Sequence, residues 1–152
     1  MQEHGLKISE LVTLFNLEVL NRGSDYDTAL LTITDVNRPG LQFHSFYDYF
    51  DPRRLQVLGK AEITYLKGLT TEQRRKCFDD LFLYDIPALV ISRGLDCFPE
   101  CLESARVHER TLLRTEETTV EFTSHTIEYL NRVLAPCVTR HGVLLDISGE
   151  GV

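Results

Sequence analysis

Residues 35–65 read DVNRPGLQFHSFYDYFDPRRLQVLGKAEITY, and this stretch decides the fold. Pro39 fixes φ and Gly40 is free to take a positive φ, so Asn37-Arg38-Pro39-Gly40 reads as a type II turn. Phe43, Phe46, Tyr47, Tyr49 and Phe50 follow, far denser than the chain's 9% aromatic content. Rings of that size bury large areas, so the cluster is expected to seal a core. Leu55-Gln56-Val57-Leu58 reads as a short buried strand closed by Gly59. Lys60 to Leu66 reads as a helix, with Ile63 and Leu66 one turn apart. A strand that passes into a helix through a glycine marks an α/β chain.

Working outward, Ile8 to Phe15 reads as a short helix with Ser9 as N-cap and Leu11, Leu14 and Phe15 inward. Leu17 to Leu20 and Leu30 to Thr34 read as strands. Thr70 and Gln73 have capping-box spacing, and the helix they start runs to about Leu83, burying Cys77, Phe78, Leu81 and Phe82. Pro87 to Ile91 is an unbroken apolar run between two helices. That is the pattern of a central parallel strand covered on both faces. Gly94 after it is expected to be left-handed. Pro99 suits the first position of a helix reaching about Val107. Thr111 to Arg114 reads as a strand. A helix capped by Thr118 or Thr119 runs to about Leu134, its inward stripe read as Val120, Ile127, Leu130 and Leu134. Strands and helices alternate from residue 55 onward. The expected fold is a three-layer α/β/α sandwich around a mixed, largely parallel sheet.

The 152 residues suffice for one domain. Net charge is −7 and the pI about 5.2, which argues against a nucleic-acid-binding surface. The basic spots Arg53-Arg54 and Arg74-Arg75-Lys76 sit beside acidic residues and read as solvated faces. No stretch approaches the ~18 apolar residues of a membrane span. The N-terminus lacks the apolar core of a secretion signal, so a cytoplasmic setting with Cys77, Cys97, Cys101 and Cys137 reduced is expected.

The motifs NRPGL at 37–41, FYDYF at 46–50, QVLGKAEITYL at 56–66 and HGVLLDISGEGV at 141–152 closely resemble the N-terminal domain of bacterial HPr kinase/phosphorylase. The resemblance runs from Leu11 to Val152. It implies a domain over 1–134, similar to the first domain of Mur ligases, then a linker and first strand of a C-terminal kinase domain over 135–152. It implies an intact enzyme, hexameric and using ATP and Mg²⁺, that phosphorylates a serine of the phosphocarrier HPr and removes the phosphate by phosphorolysis. Gly142 to Ile147 reads as a strand and Ser148 to Gly151 as a turn whose returning strand is cut off at Val152. The chain is therefore expected to continue in nature, within a few residues, into a phosphate loop. No G-x-x-x-x-G-K-[ST] occurs in these residues, so no ATP seat, no metal site and no kinase activity are expected of them alone.

His141 is the sharpest candidate for chemistry. Its residues alone allow a polar strand start; the resemblance implies an active-site histidine of the intact enzyme. Cys97 and Cys101, with His108 or His125, could form part of a metal site, though the spacing is looser than structural zinc sites use. Arg38, Lys60 and Arg93 fall where α/β folds bind ligands. They could hold an anion such as a nucleotide or sugar phosphate, or make local salt bridges.

Overall fold

The structure, a computed structural model, describes residues 5–135. Its core is a five-stranded sheet in the order β2 (Glu18–Asn21), β7 (Leu112–Arg114), β6 (Leu89–Ile91), β5 (Leu55–Leu58), β4 (Val36–Asn37). The four strands β4 to β7 run parallel, and β2 closes one edge antiparallel to β7. A separate two-stranded ribbon pairs β1 (Leu6–Lys7) with β3 (Leu30–Leu31).

Side chains alternate across the sheet, and the two faces collect different helices. Val57, Val90 and Leu113 stand in register on one face, with Leu55 two residues before Val57. Helices α1 (Ile8–Phe15) and α5 (Thr119–Val133) cover them through Ile8, Leu11, Phe122 and Leu130. On the other face stand Leu58, Leu89, Ile91 and Leu112. They are covered by α2 (Lys60–Lys67), α3 (Thr71–Phe82) and α4 (Pro99–His108). The three layers expected from the alternation of elements are present. The apolar run ending at Ile91 is the middle strand, fully buried.

Caps follow local chemistry. Thr70 accepts from the Gln73 N–H at 3.1 Å and Gln73 accepts from the Thr70 N–H at 3.0 Å. Thr118, not Thr119, caps α5 and exchanges the same pair of bonds with Glu121. Pro99 occupies the first turn of α4, and Gly94 is left-handed with φ +60°.

Several expectations are corrected. Asn37 belongs to β4, and Gly40 does not take a positive φ, so 37–40 is no type II turn. Its backbone instead feeds a 3₁₀ turn, Gln42–His44, in which the Phe43 N–H reaches the Pro39 carbonyl. Ser9 lies inside α1, because pairing with β3 keeps the chain extended to Lys7, whose N–H is capped by Glu10. Only Leu30–Leu31 of the segment 30–34 is strand. The inward stripe of α5 is Thr119, Phe122, Thr126 and Leu130, while Val120 is 72% exposed. Of the five clustered aromatics only Phe43 enters the core; Phe46 and Tyr49 are exposed. Tyr47 and Phe50 pack with Tyr84 in a half-buried trio instead.

Arg74 also departs from the solvated reading. It donates to the carbonyls of Leu66 and Leu69, pairs with Glu100 at 2.9 Å and lies over the Phe98 ring, so it ties α2, α3 and α4 together. Arg53, Arg75 and Lys76 do make local ion pairs, with Asp51, Asp79 and Asp80. Asp79 additionally accepts from Ser104 at 2.5 Å and meets His108 at 3.2 Å across the α3–α4 contact.

Two outcomes test this packing. Phe78→Ala should cost about 3–5 kcal/mol, because its ring is fully buried. Phe46→Ala should stay within about 0.5 kcal/mol, which denaturant midpoints of the two variants will show. The second concerns acid. Burial raises the Asp79 carboxyl, but hydrogen bonds from Ser104, Arg75 and His108 outweigh it and hold the group below its ordinary 3.8. A depressed carboxyl stabilises the fold above its unfolded value, and that contribution is lost as pH falls through the folded value. Ser104→Ala should therefore shrink the difference in melting temperature between pH 7 and the acid range below 3.8.

Candidate functional site

The carboxyl ends of the four parallel strands converge on one edge, the place where open α/β sheets bind ligands. Arg38 follows β4, Gly59 and Lys60 follow β5, Ser92 and Arg93 follow β6, and Thr115 to Thr119 follow β7. The edge is built around Gly59. A Cβ there would lie 2.5 Å from Arg38 Nη2 and 2.6 Å from Thr119 Oγ1. Only glycine lets the guanidinium of Arg38 and the first turn of α5 close on the start of α2.

Glu62 holds this corner. Its Oε1 accepts from the Gly59 N–H at 2.7 Å, capping α2, and from Arg38 Nη2 at 2.8 Å. Its side chain is 9% exposed and that of Arg38 is 42%. The bond to the Gly59 backbone supplements the ion pair, so the carboxylate is doubly satisfied. Next to it, the Ser92 hydroxyl donates to the Leu58 carbonyl at 2.8 Å and sits 2.6 Å from Thr119 Oγ1. Ser92 is fully buried, so this pair stitches β5, β6 and α5 together beneath the surface. Arg93 and Gly94 both take φ +60°, and the Arg93 N–H donates to Glu117 O and the Gly94 N–H to Thr115 O. The carboxylate of Glu116 lies against Gly94, and Glu117 is 3.3 Å from His125.

Of the three cations expected here, Arg38 is engaged by Glu62, the local salt bridge that was the alternative to anion binding. Lys60 and Arg93 are exposed on neighbouring loops of the same edge. Glu62, Ser92 and Thr119, which organise the corner, were not singled out by sequence. The signal for Glu62 was available: it stands three residues after Gly59, the N3 spacing at which a glutamate turns back to cap. Beside Arg38 a cleft of about 410 Å³ opens, lined by Leu41, Phe43, His44, Glu62 and Tyr65. His44 stacks on Tyr65 with ring centroids 4.4 Å apart and separates this cleft from one of about 270 Å³ that reaches Cys77 and Asp80.

His141 lies outside the described residues, as does Cys137. Cys77, Cys97 and Cys101 carry free thiols. His108 is held by Asp79 and His125 by Glu117, so neither joins the cysteines. Among the described residues no three His, Cys, Asp or Glu side chains converge as a metal would require. No helix among them is long and apolar enough to cross a membrane.

A family model described as HPr Serine kinase N terminus matches residues 6–130. Relatives named HPr kinase/phosphorylase include one from Alkaliphilus metalliredigens, 42% identical over 97% of this chain and 47% of its own length. Those of Clostridium beijerinckii and Clostridium tetani are each 41% identical over 97% of this chain and 48% of their own. The chain thus spans about half the length of the curated relatives it matches. Among solved structures, the CBS and DRTGG regulatory region of Clostridium perfringens pyrophosphatase is similar with a TM-score of 0.60 at 12% identity. That likeness covers 95% of this chain and 57% of the other, and it speaks to the fold.

The corner yields a graded outcome. Glu62→Ala leaves the Gly59 N–H and Arg38 without their acceptor and should cost about 1–2 kcal/mol, the range of a lost N-terminal cap. Glu62→Gln keeps an acceptor for the Gly59 N–H and should cost less. Equal costs in thermal melts would show that the Arg38 ion pair, not the cap, carries the effect.

Proposed function

The chain belongs to the family of HPr serine kinase N-terminal domains, and on that premise we propose that it is the regulatory and assembly domain of a bifunctional HPr kinase/phosphorylase. The observation that carries the reading is the coincidence of two spans. The family match, residues 6–130, coincides with the α/β module described over 5–135. In this reading the domain occupies 1–134, and 135–152 lead into the catalytic half. The intact enzyme works in the cytoplasm as a hexamer, phosphorylates a serine of HPr with ATP and Mg²⁺, and dephosphorylates it by phosphorolysis.

The residues present do not make a seat for ATP and Mg²⁺. Phosphoryl transfer needs backbone amides around the phosphates, a lysine and carboxylate-held metal. The sequence has no G-x-x-x-x-G-K-[ST], and the described residues hold no cluster of three metal-ligating groups. Residues 1–152 alone should therefore give no transfer from ATP to HPr above a no-enzyme control. The role proposed for His141 is a hydrogen bond or positive charge offered to a phosphate oxygen in the intact enzyme. Its loss should lower kinase and phosphorylase rates by about 10²–10³, as removal of one preorganised donor does. Melting of residues 1–152 should shift little after His141→Ala. Near-normal rates in the full-length variant would remove His141 from the site; a large loss of melting temperature would make it structural.

A second reading, a binding module for a nucleotide or sugar phosphate, is favoured by the cleft beside Arg38. Its volume is about 410 Å³, within reach of a small ligand, and the Tyr65 and His44 rings offer a stacking wall. A thermal-shift screen with UDP, inorganic phosphate and sugar phosphates separates the two. Stabilisation abolished by Arg38→Ala supports this module; flat melting curves leave the assembly role.

A further inference from the structure

Cys97 and Cys101 flank the start of α4, and neither has a part in the corner around Gly59 or in the chemistry proposed for His141. Cys97 stands just before the N-cap Phe98, and Cys101 is the third residue of the helix. The two thiols are hydrogen-bonded to each other. Their environments differ. Cys101 is 1% exposed and packs into the core with Ala105 and Phe78, while Cys97 lies at the rim of that core, partly open to solvent.

Three features favour a thiolate on Cys97. The Cys101 S–H points to its sulfur, the Leu102 N–H in the first turn of α4 faces it, and the Arg114 guanidinium stands nearby. Arg114 is fixed there by a 3.1 Å bond to the Leu95 carbonyl and by Glu18 on β2. The Cys101 hydrogen bond and Arg114 outweigh the cost of burial and hold the Cys97 thiol below its ordinary range; burial pushes Cys101 well above it. The S–H of Cys97 has only the Phe98 carbonyl at 3.4 Å to give up. Glu100, the acidic side chain in the first turn, is engaged by Arg74.

A nucleophilic, accessible thiol beside a protonated, buried one is the arrangement of an oxidisable pair, with one sulfur to react and one to resolve. We propose that Cys97 and Cys101 form a peroxide-reactive dithiol that closes to an intramolecular disulfide across the start of α4. The oxidant is hydrogen peroxide. The Cys97 thiolate attacks one peroxide oxygen and the O–O bond breaks. Its electron pair leaves on hydroxide, and the sulfur, oxidised by two electrons, carries an OH. The Cys101 sulfur then attacks the Cys97 sulfur. The S–O bond breaks, and the departing hydroxide takes the Cys101 proton as water. Reduction by an external dithiol restores the starting pair. The disulfide pins the loop between β6 and α4, which carries Arg93 and Gly94 on the ligand-binding edge of the sheet.

The test uses the intact protein and its peptide Gly94 to Arg106, which holds both cysteines and no internal Lys or Arg. After brief treatment with hydrogen peroxide and alkylation in denaturant, this peptide should appear unalkylated and lighter by two hydrogen atoms, and dithiothreitol should restore two alkylation sites. In Cys101→Ser the reaction should stop with one added oxygen on Cys97, trapped by dimedone. Cys97→Ser should leave Cys101 reduced. Native wild-type protein given limiting iodoacetamide should label Cys97 about tenfold or more faster than Cys101, a readout that needs no variant to fold. Recovery of the peptide with both cysteines alkylated after peroxide, or equal labelling of the two, overturns the proposal.

Discussion

A strand buried on both faces leaves its backbone no recourse to water, and β6 is such a strand. Each of its N–H and C=O groups has to be met by a neighbouring strand or a loop, since an orphaned polar group in the interior costs as much as a lost hydrogen bond. The neighbours meet them. Leu89 N–H donates to Thr111 O at 3.1 Å and Ser92 N–H to Leu58 O at 3.0 Å, while Ile91 O accepts from Thr115 N–H at 2.8 Å. Parallel partners on both sides require crossovers, and the crossovers are the helices that cover the two faces. The three-layer architecture follows from how the middle strand is paired. The polar corner follows too: where the strands end together, Ser92, Gly59 and Thr119 take over from the ladder and tie strand ends to helix starts.

A second buried polar line runs sideways from the sheet. Gln56 is fully buried in β5, and its amide oxygen accepts from Asn37 at 2.6 Å. Asn37 also donates to Gln42, which donates to the Phe46 carbonyl at 3.1 Å. A chain of amides in low dielectric is stable only when each member is satisfied. This one anchors the aromatic loop to the sheet without burying the aromatic rings themselves. Phe46 can be 43% exposed while its carbonyl is held.

How much was legible in the sequence depends on whether the deciding interaction was local. The strand at Leu55 to Leu58, the middle strand and the caps at Thr70 and Thr118 were legible, because apolar runs and cap pairs act within a few residues. The strand at Val36–Asn37 was not. It is two residues long and exists only because β5 lies beside it and Gln56 waits for Asn37. The inward stripe of α5 was misassigned because Thr119 and Thr126 are buried while Val120 is exposed. The helix is rotated to bring Thr119 to Ser92, a partner 27 residues away. Arg74 was read as solvated for the same reason, its acceptors being the end of α2 and Glu100. At the candidate site Arg38 and Lys60 were placed on the right edge by position alone. Glu62, which decides what Arg38 can do, was passed over as a helix residue.

The borders of the sheet carry a consequence of their own. An open border is a template on which a foreign strand can grow, chain upon chain. Here one border, β4, is two residues long, too short to seat a recruit. The other, β2, slips its register between Val19 and Asn21, and Glu18 on it is locked to Arg114 at 2.9 Å. An arriving strand would meet a kink and a charged pair in place of a flat ladder. The sheet is thereby closed to polymerisation at both ends, and crowded copies of this domain are left to meet through side chains rather than backbone.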